Sequence, residues 1–260
     1  MPSSKRPPQP SAKPSTEEAD DNAREGQPLV EIFQATLEES SLWNHKEIRF
    51  QARLHPGFER LVFLTGPNAT GKSLLARIVQ ALGKAHFGTT PIIVSMTERT
   101  GSGAYEMSGL RRSMMFGDES EQSTGATSVD IVDKAFRNAA SRAQEDGKRV
   151  LLVLDEPEIG LSEGYEYALG QVIGQKTLEL PERACGALVI SHSRALAEGL
   201  QNALGRTPSF ACTGTQDFDF EDWLTHQERF SAEALLQLRE LEQEGRRAVM
   251  AAERALLKKP

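Results

Sequence analysis

An apolar run, Leu61-Val62-Phe63-Leu64, leads into Gly66-Pro67-Asn68-Ala69-Thr70-Gly71-Lys72-Ser73, after which Leu74, Leu75, Ile78, Val79 and Leu82 recur at helical spacing. Gly66, four residues, Gly71, Lys72 and Ser73 fit the GxxxxGK[ST] pattern, in which backbone N–H groups wrap a phosphate at the positive end of a helix. The pattern carries this meaning between a strand and a helix, and both flanks are present. Residues 66–73 are therefore expected to cradle the phosphates of a nucleotide. Lys72 would reach the β- and γ-phosphates, and Ser73 would ligate Mg²⁺.

The chain of 260 residues is long enough for one large α/β domain with appendages and a real core. Its formal charge of −7 argues against a protein that coats nucleic acid non-specifically, although a local basic patch remains compatible with it. Cys185 and Cys212 are its two cysteines, expected as unpaired thiols in a reducing, cytoplasmic setting. No apolar run has the length of a bilayer span, so no membrane insertion is expected.

Residues 1–27 are rich in Pro, Ser and charged side chains and are expected to form a disordered tail. Leu29 to Phe33 reads as extended. So does Glu47 to Leu54, where Ile48, Phe50, Ala52 and Leu54 alternate with polar residues as in a half-buried antiparallel strand. His55-Pro56-Gly57 would turn that strand into the phosphate-loop strand, forming a small antiparallel layer. Pro91 to Ser95 reads as a buried strand, Thr97 to Met107 as a loop and Met114 to Phe116 as a short strand. A polar loop then precedes a helix expected to start near Ser128 or Asp130, a second place for an anion.

Val150 to Leu154 is the strongest apolar run, and it stops at Asp155-Glu156-Pro157-Glu158. Carboxylates at the end of a buried strand call for a cation, and beside a phosphate loop that cation is Mg²⁺. Asp155 would hold it and Glu156 would polarise the attacking water, the alternative being a solvated acidic turn. Glu163 to Ile173 reads as a helix and Gly186 to Ser191 as a further strand ending at His192, which would face the same sheet edge and bond the γ-phosphate. The other histidines have no partners at metal-ligand spacing. Pro208 to Cys212 reads as an edge strand and Phe218, Phe220 and Trp223 as an aromatic cluster. One long helix is expected over Ser231 to Leu257, with Leu235, Leu238 and Leu241 on its stripe, docked on its own domain or on a second subunit.

Together, Gly66 to Ser73, Leu154-Asp155-Glu156-Pro157 followed by Gly160-Leu161, and Ile190-Ser191-His192 resemble the ABC-type ATPase family in content and order. The resemblance covers about residues 29–215. It implies a P-loop α/β fold with a mixed central sheet, helices on both faces, a small antiparallel layer and a reduced helical subdomain. Residues 28–228 would form the ATPase domain and 229–260 a C-terminal helix. It also implies Lys72 and Ser73 as phosphate and Mg²⁺ ligands, Asp155 as the Walker B aspartate, Glu156 as catalytic base and His192 as switch histidine. ATP is favoured over GTP because no Asn-Lys-x-Asp motif is present.

The family's signature, which caps ATP on the opposite subunit, has its best match in Gln122-Ser123-Thr124-Gly125-Ala126, where Ser123 and Gly125 keep the phosphate-meeting positions. Trp43 stands where the family carries its adenine-stacking aromatic, with Phe33 also eligible. Ser162 replaces the D-loop aspartate, and no glutamine loop stands out. Only about eighty residues separate Lys72 from Asp155, less than a transporter's helical subdomain uses. The resemblance thus implies a Mg²⁺-dependent ATPase closing head to tail as a homodimer or with a partner ATPase, and a separate effector in DNA maintenance, repair or phage defence. A transporter's nucleotide-binding subunit and an ATP-gated scaffold with negligible turnover are the alternatives.

Overall fold

A computed structural model describes residues 28–96, 124–145, 149–226 and 229–257. In chain order the elements are α1 (Leu29–Glu39), β1 (Ala52–His55), β2 (Phe58–Thr65), α2 (Lys72–Phe87), β3 (Thr89–Ser95), α3 (Thr124–Glu145) and β4 (Arg149–Asp155). They continue with α4 (Glu163–Leu178), β5 (Ala184–Ile190), α5 (Arg194–Leu204), β6 (Pro208–Thr213), α6 (Phe220–Thr225) and α7 (Ala232–Leu257).

The six strands form one mixed sheet in the order β1-β6-β2-β5-β4-β3, parallel except for β1, which pairs antiparallel with β6. Side chains alternate across it. Leu61 and Phe63 of β2 and Val150, Leu152 and Leu154 of β4 face α3, α4, α5 and α6, whereas Val62, Leu64, Leu151 and Val153 face α1 and α2. Strands buried on both faces need no polar alternation, which is why β4 is a continuous apolar run. The aromatic cluster expected near the domain's end is present: Phe220 and Trp223 pack on Phe63 and Phe210.

Several expectations are corrected. Leu29 to Phe33 is helical: Leu29, Ile32, Phe33 and Thr36 are its buried positions, at spacings of three, one and three that a helix face demands and a strand does not. The alternation over Ile48 to Leu54 is real, with Ile48 and Leu54 buried, but pairing is confined to Ala52–His55. No separate antiparallel layer exists among the described residues, because β1 joins the edge of the main sheet through β6. That places β6 inside the sheet rather than at its edge. Helix α3 starts at Thr124, before Ser128, so Gly125 lies in its first turn. The expected loop and strand over 97–116, and the segment expected as a reduced helical subdomain, lie outside the described residues, as does the N-terminal tail.

Candidate functional site

Register alone brings the chemistry to one edge. Leu64 pairs with Ile190, Ile190 with Asp155 and Asp155 with Ser95, so β2, β5, β4 and β3 end side by side with the loops after them adjoining. Ligands of open α/β sheets gather at this carboxyl edge. Two bonds extend the alignment past the strand ends: the Ser191 N–H donates to the Leu64 carbonyl at 3.1 Å and the Glu156 N–H to the Ile190 carbonyl at 2.8 Å.

The loop after β2 is held by its own hydroxyls. Thr70 Oγ1 donates to the Pro67 carbonyl at 2.7 Å and lies 2.6 Å from Thr213 Oγ1 at the end of β6. Gly66 and Gly71 have φ of 134° and 92°, and a Cβ on them would stand 2.3 Å from the Thr213 carbonyl oxygen and 2.6 Å from the Phe50 ring. Both positions therefore require glycine. Ala69 also has positive φ, 62°, which is uncommon for a residue with a side chain and marks the loop as held by its surroundings.

Lys72 Nζ donates to the carbonyls of Gly66 and Pro67 at 2.7 and 2.9 Å, so the ammonium lies across the loop it follows. Burial pushes its pKa down to about 8, against the raising pull of Glu156 and Asp155. Glu156 has φ of 51°. That left-handed backbone carries a cost of order 1–3 kcal/mol, of the kind that clusters at functional sites. Burial and the neighbouring Asp155 charge raise the Glu156 pKa, with Lys72 opposing. His192 is pushed down to about 4 by burial first and the Lys72 charge second, so its imidazole is neutral near pH 7.

These groups share one cleft. Asn68 to Ser73, Asp155, Glu156 and His192 line a cavity of about 640 Å³, a size at which small-molecule sites are common. Its oxygen donors suit a hard divalent cation: Ser73 is solvent-exposed, and Asp155 stands on the same wall with Ser95 Oγ donating to its Oδ2 at 3.0 Å. The same cleft offers Lys72 and Arg77 to phosphate oxygens.

Other expected positions fall elsewhere. Trp43 is only 5% exposed and Phe33 is fully buried, both within the core over α1 and α2, so neither presents a face to the cleft. Phe50 does, with Trp43 stacked behind it at a ring-centroid separation of 6.4 Å. Gly125 is buried against its own chain, where a Cβ would stand 2.7 Å from Leu161 and 2.9 Å from the Gly160 carbonyl oxygen; Ser123 lies outside the described residues. The hydroxyl of Ser128 is taken by the Ile159 carbonyl at 2.9 Å. Cys185 and Cys212 are both buried, and neither is in a disulfide.

Ser95 and Phe50 belong to none of the sequence motifs. A hydroxyl at the last position of a strand parallel to β4 was a usable signal for Ser95, while for Phe50 only the alternation Ile48, Phe50, Ala52 hinted at a face. No described helix is long and apolar enough to cross a membrane. No family model matches this chain, and neither a curated protein nor a solved structure matches it.

Proposed function

We propose that this chain is a Mg²⁺-dependent ATP-binding and ATP-hydrolysing protein of the ABC type. The supporting observation is the cleft in which Asn68 to Ser73, Asp155, Glu156 and His192 meet although 124 positions of sequence separate Asn68 from His192. Backbone N–H groups of the loop and Lys72 would hold the phosphates, and Ser73 and Asp155 would hold Mg²⁺, which offsets phosphate charge when bound. Glu156 is the group to take a proton from water: its carboxylate stands in the cleft and its raised pKa brings it nearer neutral pH. Neutral His192 is suited to a hydrogen bond with the terminal phosphate rather than to supplying charge.

Steady-state phosphate release with ATP and Mg²⁺ tests this reading. Glu156→Gln should lower turnover by a hundredfold or more while leaving ATP binding intact, since general-base contributions run to about 10²–10⁴. A variant that hydrolyses ATP at the native rate would sink the assignment of Glu156.

An ATP-gated scaffold is a second reading, supported by α7, whose residues line part of the cleft. A head-to-tail partner, whether a second copy or another ATPase, would have to fit beside that helix to reach the phosphate loop. Native turnover that stays negligible with DNA or a partner protein present, while ATP still binds, favours this reading over the first. Coupling to a separate effector in DNA maintenance, repair or defence belongs to the proposal through the resemblance alone.

A further inference from the structure

Helix α7 is held to the domain by a narrow edge. Of its 26 residues only Ala252 is buried, and its half-buried positions include Ala234, Leu238, Gly245 and Val249, at the spacing of one helix face. Leu235 and Leu241, expected on the docked stripe, are 68% and 52% exposed instead. Around Gly245 the docked edge includes the small residues Ala248 and Ala252, so the helix can lie close to what it covers there.

What it covers is the candidate nucleotide cleft. Glu242, Gly245, Arg246, Val249 and Met250 line it together with the phosphate loop. The two sides are joined through one ring: a Cβ on Gly71 would stand 2.6 Å from Phe50 Cδ2, and a Cβ on Gly245 would stand 3.0 Å from Phe50 Cζ. Phe50 is thus held between Gly71, at the N-cap of α2, and the middle of α7. With α7 in place the cleft still encloses about 640 Å³, so the helix is a wall and not a plug. Arg246 stands on that wall without a hydrogen bond or ion pair to any described residue, which leaves its guanidinium available to an anion in the cleft.

We propose that α7 is a wall of the nucleotide site in the same chain, that Arg246 binds the nucleotide's phosphates directly, and that nucleotide binding clamps α7 onto Phe50. The inference rests on the nucleotide reading above. A helix docked by one thin edge has low local stability, and any ligand touching both it and the phosphate loop stabilises the docked position. The coupling is reciprocal: whatever loosens α7 weakens nucleotide binding by the same factor.

The test uses the full-length chain, Mg²⁺ and ATPγS, with affinity measured by calorimetry and α7 docking by amide hydrogen exchange over residues 238–252. ATPγS should slow exchange across that segment, and Arg246→Ala should weaken ATPγS about tenfold with an unchanged circular dichroism spectrum. Gly245→Leu keeps or raises helix propensity but sets a side chain against Phe50, so it should speed exchange of the helix and weaken ATPγS together. If the native chain binds ATPγS in a Lys72-dependent way while exchange over 238–252 does not change and Arg246→Ala binds as the native chain does, the coupling is refuted and the nucleotide reading stands. If the native chain binds no ATPγS, both fall.

Discussion

Ser95 and Asp155, sixty residues apart in the chain, meet as partners in the β3–β4 register, and the Ser95 hydroxyl donates to Asp155 Oδ2 at 3.0 Å. A hydrogen bond of this kind fixes the orientation of a carboxylate that would hold a metal, and outer partners of metal ligands commonly contribute 10- to 100-fold in affinity. Ser95→Ala is therefore expected to raise the Mg²⁺ concentration needed for half-maximal ATP turnover by about tenfold, with a stability loss of about 1 kcal/mol. Ser95→Thr should restore both. An unchanged Mg²⁺ requirement in the alanine variant would show that the hydroxyl only fills space.

Trp43 and Phe50, stacked on one another, separate by burial. Trp43 is 5% exposed and lies in the core over α1, so Trp43→Ala should cost about 3–5 kcal/mol of stability. Trp43→Phe, which keeps most of that packing, should lose less and leave the ATP dissociation constant within about twofold of native. Phe50 lines the cleft between Gly71 and Gly245. Phe50→Ala should weaken ATP binding severalfold, by about 1 kcal/mol or more, because a ring in contact with both walls is removed. Equal effects of Trp43→Phe and Phe50→Ala on ATP affinity would overturn this division.

How far the chain could be read in advance follows from how local each feature is. Gly66 to Ser73, Asp155-Glu156 and His192 each sit at the end of a short apolar run, and a run followed by an abrupt polar stop signals a strand reaching the sheet edge. Leu29-Val30-Glu31-Ile32-Phe33 has no such stop. Its apolar positions satisfy both periods over five residues, and only the face continuing to Thr36 decides for a helix. The contacts that complete the cleft are tertiary throughout. Nothing in residues 232–257 tells that Gly245 meets Phe50, and the leucines that look like a docking stripe there, Leu235 and Leu241, point away from the contact.

His192 offers a check on the electrostatics that needs no turnover. Burial, and then the Lys72 charge, pushes its pKa from 6.5 down to about 4, so the folded chain resists its protonation. Its contribution to stability is lost as pH falls from about 6.5 toward 4 and is restored above 6.5. The ring resonances of His192 should show no titration between pH 5.5 and 8, and Lys72→Met should move the midpoint upward by removing one of the two causes. A midpoint near 6.5 in the native chain would mean that the imidazole is far more hydrated than its place on the cleft wall implies.

Glu158 gives the opposite slope. One of its oxygens accepts from Ser191 Oγ, while Oε2 is buried with no hydrogen-bond partner among the described residues. Burial raises its pKa from 4.5 to about 7, the Ser191 bond offsetting part of the rise. The folded chain thus binds this proton more tightly than the unfolded chain. The stabilisation is complete below about pH 4.5 and is lost as pH climbs to and through 7, where the carboxylate must ionise without a partner for Oε2. Because His192 slopes the other way, the native stability curve alone does not isolate the effect, but the difference between native and Glu158→Gln does. The amide cannot ionise, so the variant should be more stable than native by roughly 2 kcal/mol at pH 8, a value reduced from the full shift for partial solvent access. The gap should shrink toward pH 5 and close below about pH 4.5, where Glu158 is protonated in the folded and the unfolded chain alike. Denaturant unfolding at the two pH values measures it. A difference that stays constant with pH would mean that Glu158 carries its charge in the fold without penalty.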